Sequence, residues 1–299
     1  MNVPSWLLKD GRLRPFLRVL VYLCAVLAAF VFGYTIVGVI TIGLNVHWSN
    51  NALLAASVLI EALATVGVAL LLRRFLDRRS EESLGLPLRT PAARLLAIGL
   101  LFGAGMQTVV FVLETLFGHV RPLGFGSPST DVELLCGALV IFGLAALSEE
   151  MSMRGYVLQN LWEDWGFWPA LAVSSVSFAL LHLRNPHASE HAALTALGLI
   201  AFGVWACLSV RWSGSLWLAL GCHFAWNVFE GPVYGFPVSG IGMPLPTVVQ
   251  TTLGWPSWFT GGGFGPEAGL SSIVAMLIGG VGLWLLHRRR LLPVATPAP

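Results

Sequence analysis

Charged residues are scarce in this chain. Lysine and arginine together number 17 and aspartate and glutamate 15 among 299 residues, so charged side chains form 11% of the sequence. Soluble domains carry roughly a quarter. Hydrophobic residues form 56%, which excludes an ordinary soluble domain and predicts a polytopic integral membrane protein. The net charge of +2 gives no reason to expect nucleic acid as a partner.

Cysteine motifs are absent as well. The four cysteines lie in apolar runs at irregular spacing, and no two of them form a CxxC pair; they are Cys24, Cys136, Cys207 and Cys222. The spacing predicts neither a disulfide framework nor a zinc knuckle. We expect each cysteine to be a small buried apolar residue.

Apolar segments long enough to span a bilayer recur along the chain. They predict eight transmembrane helices, which lie within 16–46, 52–72, 94–117, 132–161, 167–183, 192–210, 214–230 and 270–286. The predicted fold is therefore an all-α polytopic membrane protein. It is a bundle of about eight transmembrane helices with the active site inside the bundle, and a single integral membrane domain covers 1–299.

The positions of the arginines predict how the chain is oriented in the membrane. They cluster before the first span, after the second and after the eighth, whereas the linker 231–269 contains no lysine or arginine. The positive-inside rule then places both termini in the cytoplasm. The arginine-rich loops and the single lysine favour a bacterial inner membrane. The linker is expected to be an interfacial loop anchored by Trp255, Trp258 and Phe264, and the alternative is a flap over a substrate cleft.

One apolar run carries an unusual polar stretch, Leu147-Ser148-Glu149-Glu150-Met151-Ser152-Met153-Arg154-Gly155. Ionisable groups inside a bilayer cost about 2.5–3.5 kcal/mol each on insertion scales, and they mark functional sites by default. On a helix Glu150 and Arg154 are i and i+4 and can pair. Glu149 then points elsewhere and stays free for chemistry. The alternative is a structural ion pair with one spare polar residue.

Other polar groups fall within the predicted helices. His182 ends the fifth segment, and His223 and Asn227 share one face of the seventh. A rise of about 1.5 Å per residue places Glu149, His182 and His223 about 18, 22 and 14 Å from the cytoplasmic ends of their helices. These similar depths predict that the groups converge. For Glu61 and Glu114 we expect a hydrogen bond to a neighbouring helix rather than catalysis.

Two kinds of hydrolytic chemistry suit this set. In one, Glu149 and His182 activate a water, and His223 and Asn227 donate N–H groups to an oxyanion, while Arg154 neutralises Glu150. In the other, Glu149, His182 and His223 form a His₂Glu set that binds a catalytic zinc. The sequence does not distinguish between these two schemes. The sequence lacks the HExxH of zincins, the GxGD of presenilin-type proteases and the GxSG of rhomboids.

The order of these motifs resembles a known family. EExxxR, FxxxH and HxxxN, which are Glu149-Glu150…Arg154, Phe178…His182 and His223…Asn227, are similar to the motifs of the CAAX-protease and bacteriocin-processing (CPBP, or Abi) family. That family includes the Ras-converting-enzyme type of prenyl-protein protease. The similarity covers a core at about 130–230 and implies an eight-helix intramembrane endopeptidase. By that resemblance Glu149 and His182 activate water, His223 and Asn227 support the oxyanion, and Glu150, Arg154 and Phe178 shape the site.

The same resemblance sets the expected partners. The family is described both as metalloproteases and as metal-independent glutamate proteases, so no cofactor is obligatory and zinc is the candidate metal. The substrate is expected to be a membrane-anchored peptide or protein, of the prenylated CAAX type or the bacteriocin and leader type. Two other classes of function are open. They are a proton-coupled transporter that uses the buried Glu and His side chains, and a non-catalytic scaffold or immunity protein.

Overall fold

A computed structural model describes residues 7–9, 11–87, 91–125, 132–242 and 247–294. Its α-helices are α1 (Pro15–Gly43), α2 (Asn50–Phe75), α3 (Ala92–Leu116), α4 (Val132–Glu150), α5 (Leu158–Trp165), α6 (Phe167–His182), α7 (Ala192–Ser213), α8 (Trp217–Val228), α9 (Ser257–Thr260) and α10 (Leu270–Arg288). π-Helical turns at Met151–Val157 and Phe229–Val233 follow α4 and α8. Strands β1 (Leu8–Lys9) and β2 (Arg12–Leu13) pair with each other, and β3 (Val120–Phe125) pairs with β4 (Val249–Leu253).

All eight predicted transmembrane segments are helical. Within the described residues, six helices are long and apolar enough to cross a membrane: Pro15–Gly43, Ala52–Phe75, Ala92–Leu116, Leu134–Trp165, Ala192–Ser213 and Leu270–Arg288. The other two, α6 with 16 residues and α8 with 12, are shorter than the ~20 residues that a straight span needs. The predicted class, an all-α polytopic membrane protein, is confirmed.

The outer surface of the bundle is apolar. On α1, Leu27, Phe32 and Ile42 are 64%, 68% and 85% exposed. Soluble proteins rarely expose contiguous apolar surface on this scale, whereas a lipid-facing helix does so by necessity. Cys24 and Cys136 lie on exposed positions, so the expectation that every cysteine is buried was wrong for these two.

Helices α3 and α8 pack against each other at backbone distance. A Cβ atom at Gly99 would collide with the carbonyl oxygen of Leu218, and one at Gly103 would collide with that of Cys222. Gly221 on α8 is pressed in the same way against the carbonyl of Leu96. Small residues at four-residue spacing are how membrane helices approach this closely. This glycine seam, formed by Gly99, Gly103 and Gly221, holds the short helix α8 in the interior of the bundle, where the polar residues of α8 reach the site.

A buried charge network ties α1, α2 and α5 together, and Arg18 brings α1 into it with its Nε 3.8 Å from Oδ1 of Asp77. Asp77 is fully buried, and its Oδ2 lies 3.1 Å from Nη1 of Arg73. The hydroxyl of Tyr156 and the amide of Asn160 donate to the same carboxylate, at 3.1 and 3.3 Å. Arg73 belongs to the arginine cluster that sequence placed in a cytoplasmic loop, but its side chain is buried in this network rather than solvated.

The linker 231–269 has more structure than a loop. It contributes β4, which pairs with β3 in antiparallel register from Val120↔Leu253 to Phe125↔Val249, and it contains the short helix α9. Neither strand was predicted. Trp255 is 82% exposed, as expected of an interfacial anchor, but Phe264 is completely buried in the core and cannot be one.

Candidate active site

The carboxylate of Glu149 faces two imidazole rings. Glu149 is the penultimate residue of α4, and its Oε2 lies 3.5 Å from Nε2 of His182 on α6 and 3.7 Å from Nε2 of His223 on α8. This oxygen is buried and has no hydrogen-bond partner within the described ranges of the chain. Three helices therefore bring together the groups that the similar depths predicted to converge.

The neighbouring carboxylate, Glu150, is held by two side chains through one of its oxygens. Its Oε1 accepts from Nη1 of Arg154 at 3.0 Å and from Nδ1 of His223 at 2.9 Å, and both charged side chains of this ion pair are buried. The predicted Glu150–Arg154 pair is thus present. The hydrogen bond from His223 to Glu150 was not predicted. Adjacent glutamates consequently have different environments, one neutralised by an arginine and the other directed at the two histidines.

Hydrogen bonds donated by the Nδ1 atoms fix the tautomers of the two rings. Nδ1 of His182 lies 2.9 Å from the backbone carbonyl of Phe178, and Nδ1 of His223 lies 2.9 Å from the Glu150 carboxylate. A carbonyl and an ionised carboxylate can only accept, so each Nδ1 carries the hydrogen. In a neutral ring Nε2 is then an acceptor. Both Nε2 atoms point at the Glu149 carboxylate.

Phe178 contacts both Arg154 and His182. The Arg154 guanidinium carbon is 4.5 Å from the centre of its ring, and the His182 ring centre is also 4.5 Å away. The ring meets His223 edge-on at 6.1 Å. A cation over an aromatic face is stabilised by about 2 kcal/mol or more when it is desolvated. Phe178 thus orients His182 through its carbonyl oxygen and packs on Arg154 through its ring.

Two cavities meet at the site. A narrow one of about 30 Å³ is lined by Glu149, His182, His223 and Asn227 among others. A wider one of about 280 Å³ shares Glu149, His182 and Asn227. Asn227 follows His223 by one turn of α8, and its Oδ1 is buried without a hydrogen-bond partner among the described residues. All four predicted catalytic candidates therefore line the narrow cavity, and three of them also line the wider one.

A catalytic zinc ion needs three protein donors directed at one point. The neutral Nε2 atoms and the carboxylate are suitable donors, and each ring is oriented through Nδ1 as in many metal sites. However, in the part of the chain that the structure describes, no group of three or more His, Cys, Asp and Glu side chains is arranged to hold a metal ion. The arrangement as it stands does not fit the predicted His₂Glu metal site.

Several polar residues near the site were missed or underrated. Glu61 lines the wider cavity, although a structural role was expected for it. Ser239 and Glu267, from the linker, line the narrow cavity, and the Ser239 hydroxyl donates to Glu267 at 2.6 Å. Glu267 is the single charged residue of 231–269, and this was the sequence feature that could have indicated a role for it at the site. For Glu114 the expected interhelical bond is confirmed, since Ser271 on α10 donates to it at 2.6 Å.

Part of the linker forms a wall of the site. Val238, Ser239 and Ile241 line the wider cavity. The side-chain amide of Asn185, which follows α6, donates to the Ser239 carbonyl at 3.0 Å and holds this segment in place. Trp255 is exposed, whereas Val238, Ser239 and Ile241 lie against the site.

Comparison with known proteins places these residues in context. Residues 131–229 match the family model described as Rce1-like, type II CAAX prenyl endopeptidase. The chain is also 28% identical over 167 residues to a Bacillus subtilis (strain 168) protein called Uncharacterized protein YyaK. That alignment covers 52% of this chain and 50% of YyaK, so the chain matches about half the length of this relative. The resemblance indicated by the three motifs is therefore confirmed: residues 131–229 of this chain are similar to the Rce1-like, type II CAAX prenyl endopeptidase family.

Proposed function

We propose that the protein is an intramembrane endopeptidase that hydrolyses a peptide bond of a membrane-associated substrate. The observation that carries the proposal is the geometry of Glu149. Its Oε2 faces Nε2 of both His182 and His223 at 3.5 and 3.7 Å, while Arg154 neutralises the adjacent Glu150. The match to a CAAX prenyl endopeptidase family supports the same class of reaction.

The attacking water is held between two acceptors. The separation of 3.5 Å between Glu149 Oε2 and His182 Nε2 is too long for a direct hydrogen bond but short enough for one water to donate to both. Such a water has both hydrogens engaged and a lone pair left to attack the carbonyl carbon. Glu149 takes the proton as general base and returns it to the leaving amine.

His223 and Asn227 stabilise the oxyanion of the tetrahedral intermediate. The Asn227 amide donates from the cavity wall. His223 donates from Nε2 only as imidazolium, because its Nδ1 hydrogen is committed to Glu150. The Glu150 carboxylate lies at hydrogen-bond distance from Nδ1 of that ring and fixes its orientation. One donor of this kind is typically worth about 10²–10³ in kcat.

The substrate is proposed to be a membrane-anchored peptide, of the prenylated CAAX type or the bacteriocin and leader type. The site lies inside a bundle whose outer surface is apolar, so a peptide held at the bilayer by a lipid or an apolar segment is favoured over a soluble one. We place the protein in a bacterial inner membrane with both termini in the cytoplasm, because the arginine clusters and the linker without basic residues follow the positive-inside rule.

Cleavage in proteoliposomes tests the function. Membrane-anchored and prenylated peptides are offered to the wild type and to Glu149→Gln, which keeps the shape of the side chain but removes the base. We expect cleavage by the wild type and a loss of about 10²–10⁴-fold in the variant, with unchanged melting in detergent. Full activity of Glu149→Gln would refute the mechanism. Activity that is lost on chelation and restored by zinc would favour the metal scheme.

A further inference from the structure

One carboxylate from outside residues 131–229, the segment that matches the family model, lines the active-site cavity. Glu61 lies on α2, and together with Leu54 and Val58 it forms the α2 wall of the cavity of about 280 Å³. These three residues are spaced four and three apart, so they share one helix face. Glu149 and His182 line the same cavity from α4 and α6. The cavity is therefore lined by a second carboxylate, that of Glu61, which belongs to none of the three catalytic motifs.

The carboxylate of Glu61 is not held by any side chain that the structure describes. Among the described residues it makes no hydrogen bond or ion pair, and only its backbone carbonyl accepts, from the Thr65 hydroxyl at 2.7 Å. By contrast, the buried Glu150 and Glu114 are each held by a partner side chain. An ionisable group inside a membrane protein without a partner calls for one from elsewhere.

A role in orienting His182 does not explain why Glu61 lies in this cavity. The two side chains are close enough to interact electrostatically. However, Nδ1 of the His182 ring is already held by the Phe178 carbonyl, and Nε2 faces Glu149. Both ring nitrogens are committed, so the orientation of His182 is set without Glu61. The Glu61 carboxylate remains available to a ligand in the cavity.

The walls of the cavity indicate what that ligand is. The residues that line it include no lysine or arginine, and its ionisable side chains are Glu61, Glu149 and His182. Most of the remaining walls are apolar, including Leu54, Val58 and Ile141. A largely apolar cavity with a carboxylate in its wall fits a side chain with an apolar stem and a cationic tip. The volume is just below the ~300–1,000 Å³ of sites for drug-sized ligands and suits one long side chain.

We propose that Glu61 is a specificity-determining residue, whose carboxylate binds the ammonium or guanidinium group of a lysine or arginine side chain in the substrate, beside the bond that is cleaved. This proposal rests on the proposed peptidase function and gives it a substrate class. An ammonium group in this cavity forms a charge-assisted hydrogen bond in a low-dielectric setting, where such bonds are strongest.

Matched peptides test the assignment. Membrane-anchored peptides carry lysine, norleucine or glutamate at one position, and that position is varied on both sides of the cleaved bond. We expect the wild type to prefer lysine over norleucine at one position by about 10- to 100-fold in kcat/KM. Glu61→Gln should bring that ratio close to one, and Glu61→Lys should favour the glutamate peptide. The control is Glu114→Gln, a buried carboxylate that does not line the cavity and should keep the wild-type ratio.

A binding measurement separates this proposal from the peptidase function. In the Glu149→Gln background the peptides stay intact, and fluorescence anisotropy reports their affinity in detergent. Loss of the lysine preference on adding Glu61→Gln supports the subsite even if the wild type cleaves no peptide, in which case the peptidase function alone fails. A lysine-to-norleucine ratio that Glu61→Gln leaves unchanged, in cleavage or in binding, overturns the proposal.

Discussion

Glu150 and His223 are joined by a hydrogen bond of 2.9 Å between Oε1 and Nδ1, across 73 residues of sequence. The same oxygen accepts from Arg154 at 3.0 Å. Three ionisable side chains therefore form a row from Arg154 through Glu150 to His223, and Glu149 lies beyond the ring's free nitrogen. Through this row, Arg154, which neutralises Glu150, also fixes the ring of His223, which faces Glu149.

Replacing Arg154 is expected to damage stability and activity together. Arg154→Ala leaves the buried Glu150 carboxylate without its counter-charge, and breaking a buried ion pair in this way costs about 3–5 kcal/mol. The freed carboxylate also no longer holds His223 in one orientation, so kcat should fall. Thermal unfolding in detergent and cleavage in proteoliposomes measure the two effects. The matched control is Arg74→Ala, whose side chain is 62% exposed and whose ion pair with Glu81 should contribute less than about 1 kcal/mol. Equal melting of both variants would contradict the role of the pair.

Removing the Asn227 amide should lower kcat with little change in KM. Asn227→Ala deletes a donor that the mechanism uses only when the oxyanion forms, and the expected loss is about 10²–10³-fold in kcat. The control is Val228→Ala, the next residue of α8, which lines neither cavity of the site. A rise in KM at constant kcat would mean that Asn227 binds the substrate in its ground state and does not stabilise the oxyanion.

The buried network around Asp77 should contribute more to folding than to catalysis. Asp77→Ala leaves Arg73 buried without its closest carboxylate and removes the acceptor of Tyr156 and Asn160, so we expect a loss of about 3–5 kcal/mol. Glu81→Ala, at a side chain that is 45% exposed, is the control and should change stability by less than about 1 kcal/mol. Unfolding in detergent compares the two. If Asp77→Ala melts like the wild type, the network has no structural role.

Features of local origin were predictable from the sequence. The helices follow from long apolar runs, and the Glu150–Arg154 pair follows from i, i+4 spacing together with the need to neutralise charge in a bilayer. The convergence of Glu149, His182 and His223 followed from their similar depth. Each of these inferences needs only the geometry of a helix and the thickness of a membrane.

Features that depend on contacts between distant segments were not predictable. The bond between His223 and Glu150 and the pairing of β3 with β4 join residues far apart in sequence. The π-helical turn at Met151–Val157 leaves the apolar pattern unchanged, so hydropathy carries no sign of it. Glu61 was noticed, but its spacing on α2 could not show that it faces the cavity.

The glycine seam between α3 and α8 gives the sharpest comparison within one helix. A Cβ atom at Gly103 would collide with the backbone of α8, whereas one at Gly105, two residues later, would meet no atom within 4 Å. Gly103→Ala is therefore expected to destabilise the protein by about 1–3 kcal/mol, because the two backbones must move apart. Gly105→Ala should be neutral or slightly stabilising, since alanine favours a helix by up to about 1 kcal/mol over glycine. Because α8 carries His223 and Asn227, Gly103→Ala should also reduce cleavage, while Gly105→Ala should retain it. Melting and cleavage that are the same in both variants would show that the close approach of α3 does not position the site.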